Sequence, residues 1–243
     1  MADIPPIIVF DEIDSTNLEA RRRIEAGEAT PVWVTAGRQT AGRGRRGRSW
    51  ETTDGNLAAT LLMTTNKAPI EAAQVAFVAA LAVADLAGAF APPALVSLKW
   101  PNDTLVSGRK VSGILVESGA LASGELWLAV GIGVNLAQAP SGLERPATAL
   151  ANHMRRPPPA PLEALAILAE KMEKWRGLWE ASGFAAIAEA WTLRAHGLGQ
   201  KCVARLPGES LEGIAEGLDP DGALRLRLAD GSLRRITAGD VFF

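Results

Sequence analysis

"TLVSGRKVSGILVES" runs from Thr104 to Ser118, and the way it turns back on itself decides the architecture. Ser107-Gly108 is a two-residue turn signal between β-prone runs, the mark of a β-hairpin. Side chains alternate along a strand, so Val111, Gly113 and Leu115 are expected on one face, with Lys110, Ser112, Ile114 and Val116 on the other. Downstream, "ELWLAVGIGVNL" (Glu125 to Leu136) returns antiparallel across the short "GALASG" turn. Upstream, "VSLKW" (Val96 to Trp100) is a strand that ends at Pro101. Strands joined by turns this short predict a mixed, mostly antiparallel sheet and not a doubly wound parallel one.

Working outward, "IIVF" (Ile7 to Phe10), "PVWVTAG" (Pro31 to Gly37) and "NLAATLLM" (Asn56 to Met63) read as further strands. "DSTNLEARRRIEAGE" begins with helix-capping types and carries Leu18, Arg22 and Ile24 toward Gly27, so Ser15, Thr16 and Asn17 lie at a helix N-terminus. Pro69 opens an Ala-rich helix. The apolar stretch from Ile70 to Phe90 is broken by Glu71, Gln74 and Asp85, which favours a buried helix over a membrane span. After the stiff "RRPPPAP" connector, Leu162, Leu165, Leu168, Met172, Trp175 and Trp179 mark one helix face. A second helix runs from Phe184 to about His196, with Ile187 and Trp191, and stops at Gly197. From Lys201 the chain becomes short strands and turns, with Leu224, Leu226 and Leu228 alternating with arginines. The fold class is therefore α+β: residues 1–196 form one domain, and 197–243 a small β-barrel-like one.

Composition narrows the function classes. Of 243 residues, 48% are hydrophobic and the formal net charge is −2, the profile of a globular domain and not of a general nucleic-acid binder. Cys202 stands alone, so no intramolecular disulfide forms, and His153 and His196 have no metal-ligand spacing. The start "MADIPPIIVF" lacks the pattern of a signal peptide, and a cytoplasmic location is expected.

Against that near-neutral background, "GRGRRGR" (Gly42 to Arg48) places four arginines within seven residues. The glycines at 42, 44 and 47 allow a backbone nest of inward N–H groups, and the arginines add positive charge; a phosphate or carboxylate suits both. A solvated loop or an Arg-Gly RNA patch are the alternatives. No Lys-Ser or Lys-Thr follows, which excludes a Walker loop, and the glycine spacing excludes a Rossmann fingerprint. In "KWPNDTLVSGRK", Lys99 and Lys110 bracket Asn102 and Asp103, a set able to hold a nucleotide with Mg2+, with Asp103 as the magnesium-side anion; a plain turn is the alternative. Gly113 leaves room for Lys110 to lean over a ligand. "DSTN" offers hydroxyls and an amide at a helix start, or simply a cap, and "GIGVN" (Gly131 to Asn135) brings Asn135 to a strand end.

In this order these blocks resemble the biotin protein ligases, also called biotin–[acetyl-CoA-carboxylase] ligases. The resemblance rests on Ser15-Thr16-Asn17, on Gln39 before the Gly42 to Arg48 loop with Trp50 beyond it, on Lys99 to Asp103, on Lys110 and on Gly113 to Glu117. It covers residues 7 to 136 strongly and the tail more loosely. It implies a catalytic domain like that of class II aminoacyl-tRNA synthetases, an SH3-like C-terminal domain, and two half-reactions. Biotin and Mg·ATP would give biotinyl-5′-adenylate and pyrophosphate, and a lysine of biotin carboxyl carrier protein would then take the biotinyl group.

Carried onto this chain, the resemblance assigns biotin to Ser15, Thr16, Asn17, Gln39, Gly42, Arg43, Gly44, Arg45, Lys110 and Gly113. It assigns ATP and magnesium to Arg43, Arg48, Trp50, Lys99, Asn102, Asp103 and Asn135, with Asn135 facing adenine. Lys110, Arg45 and Arg48 are the candidate catalytic residues. The loop would close as a lid, shielding a hydrolysable anhydride from water. With "DSTN" at residue 14 there is no room for an N-terminal DNA-binding domain, so a ligase without repressor function is expected, monomeric or homodimeric, with neither DNA nor membrane as a partner. No C-terminal arginine or other ATP contact is identifiable before the final "GDVFF". A lipoate–protein ligase of the same fold is the nearest rival, and an Arg-Gly RNA-binding module the rival of a different class; the absence of aromatics among the arginines weighs against the latter.

Overall fold

The computed structural model describes residues 4–142 and 146–243. In chain order the first part comprises β1 (Ile7–Ile13), α1 (Thr16–Glu25), β2 (Val32–Gln39), β3 (Leu57–Thr65), α2 (Pro69–Ala72) and α3 (Val75–Gly88). Next come β4 (Val96–Lys99), β5 (Asp103–Val106), β6 (Arg109–Ala120), β7 (Leu126–Val134), α4 (Pro161–Ser182) and α5 (Phe184–Thr192). The last part is β8 (Lys201–Arg205), β9 (Ser210–Leu218), β10 (Leu224–Arg227), β11 (Leu233–Ile236) and β12 (Asp240–Phe242).

The first seven strands form one sheet in the order β1-β2-β3-β7-β6-β5-β4, in which only β1 and β2 run parallel. Alternation gives this sheet two unlike faces. Leu57, Ala59, Leu61 and Met63 of β3 and Leu128, Val130, Ile132 and Val134 of β7 join the main core under the helices. Their neighbours Leu62 and Ala129 join Ala20, Ile24 and Val32 in a smaller core beneath α1. Helix α3 is buried nearly all round, between the sheet and α4, and its alanines permit that close approach. The segment Pro69–Gly88 is long and apolar enough to cross a membrane by composition, yet it is mostly buried within the fold and divides at Ala73-Gln74. Gln74 accepts a hydrogen bond from Trp179 Nε1 at 3.1 Å, and Asp85 accepts one from Trp175 Nε1 at 2.9 Å.

The predicted hairpin is present, with Ser107 (φ 52°) and Gly108 (φ 73°) in the left-handed region that its two-residue turn requires. Its expected face assignment needs correction. Leu105 stands opposite Lys110 and Thr104 opposite Ser112, so Val111 is an extra residue in a β-bulge. Val111 therefore joins the helix-covered core with Ile114 and Val116, and Lys110 moves to the face of Gly113.

Two helix expectations also change. Leu162 sits in the first turn of α4 and is half exposed, while Leu165, Leu168, Met172, Trp175 and Trp179 are buried as expected. Helix α5 ends at Thr192, short of His196, because residues 194–196 extend along the edge of β4: Leu98 N–H donates to Arg194 O and His196 N–H donates to Leu98 O, both at 2.7 Å.

The C-terminal strands form a separate antiparallel sheet in the order β11-β10-β9-β8-β12. Sequence reading missed β12, which pairs with β8. This sheet is seated against the first through Trp100 Nε1, which donates to Gly222 O at 3.0 Å, and through Gly222 lying against Phe77 and Phe184.

Candidate active site

The uncovered part of the first sheet carries unusually small residues. One row across four strands reads Ala58, Gly133, Gly113 and Asp103, and the next reads Thr60, Gly131 and Leu115. Their small size leaves a cavity of about 250 Å³ above the sheet. A Cβ on Gly133 would collide with the Trp50 indole, and one on Gly131 with the Asn17 amide. The glycines are thus sites of close approach, the role strand glycines often serve.

The "DSTN" block forms one wall. Ser15 is the N-cap residue of α1 but makes no side-chain cap bond; its buried side chain lines the cavity instead. The Gln39 side chain accepts from the Thr16 N–H (2.8 Å) and from Thr16 Oγ1 (3.1 Å), and donates to Thr52 Oγ1 at 3.0 Å. Thr60 Oγ1 lies 2.7 Å from Asn17 Oδ1, and the Asn17 amide donates to Glu117 Oε2 at 2.8 Å. A buried polar network this well partnered holds its side chains in fixed positions.

The arginine loop is a hairpin. Trp50 N–H donates to Gly42 O at 2.9 Å, Gly44 N–H donates to Arg48 O at 2.7 Å, and Arg48 N–H donates to Arg45 O at 3.3 Å. Those three amides are spent inside the loop and do not form the open nest expected from the glycines. Arg43 pairs with Glu117 at 3.0 Å, and Arg46 and Arg48 pair with Asp240 at 3.2 and 3.1 Å. Arg45 Nη1 donates to Asn102 Oδ1 at 2.9 Å, and Nη2 donates to Gly239 O at 3.4 Å. Burial pushes the Arg45 guanidinium below its ordinary value, and the charges of Asp240 and Asp103 oppose that shift; it stays a cation at physiological pH.

Opposite the loop, Lys110 Nζ lies 2.6 Å from Asp103 Oδ1 and 5.8 Å from the centre of the Trp50 ring. The bulge places it above Gly113, where an added Cβ would stand 3.1 Å from Nζ. Asn135 is buried just after β7; its amide donates to Thr148 O at 3.1 Å, while its Oδ1 has no partner among the described residues.

The fold thus gathers Ser15, Thr16, Asn17, Gln39, Arg43, Gly44, Arg45, Arg48, Trp50, Asn102, Asp103, Lys110, Gly113 and Asn135 around one cavity. Two candidates lie outside its lining. Gly42 serves the neck of the hairpin, where a Cβ would strike Trp50 O, and Lys99 sits 5.7 Å from the Phe242 ring centre. Sequence reading missed Gly131, Gly133 and Asp240. The two glycines are two residues apart on a strand, a spacing that places them on one face and could have flagged them. Nothing local marked Asp240, whose loop partners Arg48 and Arg46 lie 192 and 194 residues away.

Comparison with known proteins places this geometry in a lineage. The biotin/lipoate A/B protein ligase family model matches residues 9–136, and the biotin protein ligase C terminal domain model matches residues 197–243. A biotin–[acetyl-CoA-carboxylase] ligase of Paracoccus denitrificans is 44% identical over 95% of this chain and 97% of its own length. The biotin protein ligase of Aquifex aeolicus in complex with biotin and ATP superposes with a TM-score of 0.81 at 26% identity, covering 98% of this chain and 97% of that one. The Leishmania major biotin protein ligase in complex with biotinyl-5-AMP gives 0.69 at 26% identity, covering 96% and 99%. With both parts of its sequence matched and a near-full-length relative at this identity, the chain belongs to the biotin protein ligase family.

Proposed function

We propose that the cavity described above is where this chain carries out its reaction, and that its lining residues divide the work between two substrates. The reaction is the ATP-dependent biotinylation of a lysine in a biotin carboxyl carrier protein, by way of biotinyl-5′-AMP. A biotin carboxylate oxygen attacks the α-phosphorus of ATP, and the bond to pyrophosphate breaks. A lysine amine of the carrier then attacks the biotinyl carbonyl, AMP leaves, and the amine gives up a proton.

The first step brings a carboxylate against a phosphate, so a fixed cation between them lowers the barrier. Lys110 is the residue for that position. The observation that carries this reading is its ammonium, held by Asp103 above Gly113 beside the Trp50 ring, in the cavity that the arginine hairpin also lines. Ser15, Thr16 and Gln39, with the Asn17 amide behind them, suit the urea and chain of biotin, because a buried set of donors and acceptors selects a neutral polar ring. Arg45 and Arg48 suit the phosphate, with Arg43 beside them. Trp50 suits the nucleotide, and the unpartnered Asn135 Oδ1 suits an adenine amino group.

Among the described residues, no group of three or more His, Cys, Asp or Glu could hold a metal ion. Magnesium bound with nucleotides commonly takes one or two carboxylates, the rest of its shell being phosphate and water; Asp103 is the carboxylate beside Lys110 that would serve it, with Asn102, whose Oδ1 accepts from Arg45, next to it. Bound there, it would neutralise phosphate charge. Residues 1–196 and 197–243 as separate domains, a cytoplasmic location, no role in DNA binding and a monomeric or homodimeric state complete the proposal.

The loop argues against an RNA module: Arg43, Arg46 and Arg48 are ion-paired within the protein. Incubation with an apo carrier domain, Mg·ATP and either biotin or lipoate, read by mass spectrometry, tests the assignment. Biotinyl transfer is expected, and lipoyl transfer alone would contradict it.

A further inference from the structure

The four loop arginines have different partners. Arg43 belongs to Glu117 of β6. Arg46 and Arg48 each take one oxygen of Asp240, whose side chain is only 16% exposed. Among the described residues, the hydrogen bonds of Arg45 go to two neutral acceptors, Asn102 Oδ1 and the carbonyl of Gly239, with the charges of Asp240 and Asp103 nearby. Three contacts therefore tie the hairpin tip to two consecutive residues of the C-terminal part of the chain.

That attachment point is itself rigid. Asp240 opens β12 and stands opposite Arg205 of β8. Gly239 has φ of 159°, and a Cβ there would press on Leu206 and on Arg205 O, so the backbone lies directly against its neighbour. The hairpin tip, by contrast, needs support. Arg46 (φ 59°) and Gly47 (φ 73°) are both left-handed, and the arginine adopts that conformation at a cost. Four like charges also repel each other across a seven-residue hairpin.

We propose that Asp240 is a positioning residue for the ligase reaction: it fastens the hairpin tip to the C-terminal sheet through Arg46 and Arg48, so that Arg45, and Arg48 from that anchored position, meet the ligand phosphate. The proposal rests on the reading of the site given above. It gives the C-terminal sheet a definite task, to hold the loop from outside the catalytic sheet. Asp240 also borders the cavity, so its carboxylate could instead compete with the phosphate for Arg48. Against that, it is shared with Arg46, which is not part of the cavity lining, and among the described residues Arg45 forms no direct ion pair that a phosphate would have to displace.

Asp240→Asn keeps the shape and removes the charge. Two readouts follow. Tryptic cleavage after Arg46 or Arg48 in the ligand-free protein should quicken about tenfold at an unchanged melting temperature, as should release of biotinyl-adenylate made in place from biotin and ATP, since a lost charge-assisted contact is worth about that factor. Arg46→Gln, which spares the phosphate-facing Arg48, should raise adenylate release in the same direction, and Asp240→Asn should add less in that background than it does in the wild type. Unchanged cleavage and release in Asp240→Asn would overturn the proposal, and slower release would show the carboxylate to be a competitor of the phosphate. If Asp240→Asn melts early, Arg46→Gln alone decides, and unchanged release there is equally fatal. Should the wild-type protein form no biotinyl-adenylate, the reading of the site fails instead, and the tryptic arm still decides whether Asp240 fastens the loop.

Discussion

The two faces of the seven-stranded sheet are built from the same strands by opposite rules. Toward α3 and α4, β3 and β7 present Leu57, Leu61, Leu128 and Ile132, all almost wholly buried and joined by contact alone. Toward the cavity the same strands present Ala58, Thr60, Gly131 and Gly133, and the space they vacate is filled by polar side chains and the Trp50 ring. The helix-covered face supplies stability through apolar burial. The other gives up that burial so that a charged ligand can be met by groups already in place. Substitutions on the two faces should therefore separate stability from chemistry.

The largest effect is expected at Lys110. Lys110→Ala should lower biotinyl-adenylate formation by roughly two to three orders of magnitude, the scale of losing one preorganised electrostatic contact. Quenched-flow measurement of pyrophosphate release reads it, and a rate near wild type would remove Lys110 from its assigned role. On the opposite face, Leu81→Ala in α3 should cost about 2–5 kcal/mol of stability by leaving a cavity. Denaturant unfolding checks this, and the folded fraction should keep its turnover. A turnover loss at Leu81 as large as at Lys110 would break the division of labour between the faces.

Gly133→Ala should fall between these classes. Its Cβ would meet the Trp50 indole, and overpacking of about 1–3 kcal/mol would displace the hairpin, read as about a tenfold loss of adenylate formation. The smallest effect is expected at Gly177, where a Cβ on α4 meets nothing. Gly177→Ala should raise stability by about 0.5–1 kcal/mol, the helix cost of glycine, with no change in rate. Thermal melts of the two glycine variants, run side by side with the exchange assay, show whether a glycine is there for the ligand or for nothing.

Much of this contrast is legible in the amino-acid sequence. The Ser107-Gly108 turn predicted the β5–β6 hairpin because its signal is local, and with it the antiparallel sheet. The arginine loop is legible as an anion site because four like charges in that spacing have no packing rationale; Ser15, Asp103 and Lys110 are candidates beside a plain cap and a plain turn, and Gln39 enters only through the family resemblance. What escaped depends on long-range pairing. A period of two cannot foresee the bulge at Val111, which brought Lys110 onto the face of Gly113. The glycine at 197 promised a helix end there, but the edge of β4 takes residues 194–196 into extended pairing first. Asp240 reaches the loop only because β12 closes the second sheet, a pairing that nothing in "GDVFF" announces.

The central claim is that this cavity joins biotin to the α-phosphate of ATP before any carrier protein is present. Exchange of labelled pyrophosphate into ATP tests it most directly. Exchange that requires biotin, proceeds without carrier protein and is lost in Lys110→Ala is the predicted result; exchange that ignores biotin, or that survives undiminished in Lys110→Ala, would contradict the account.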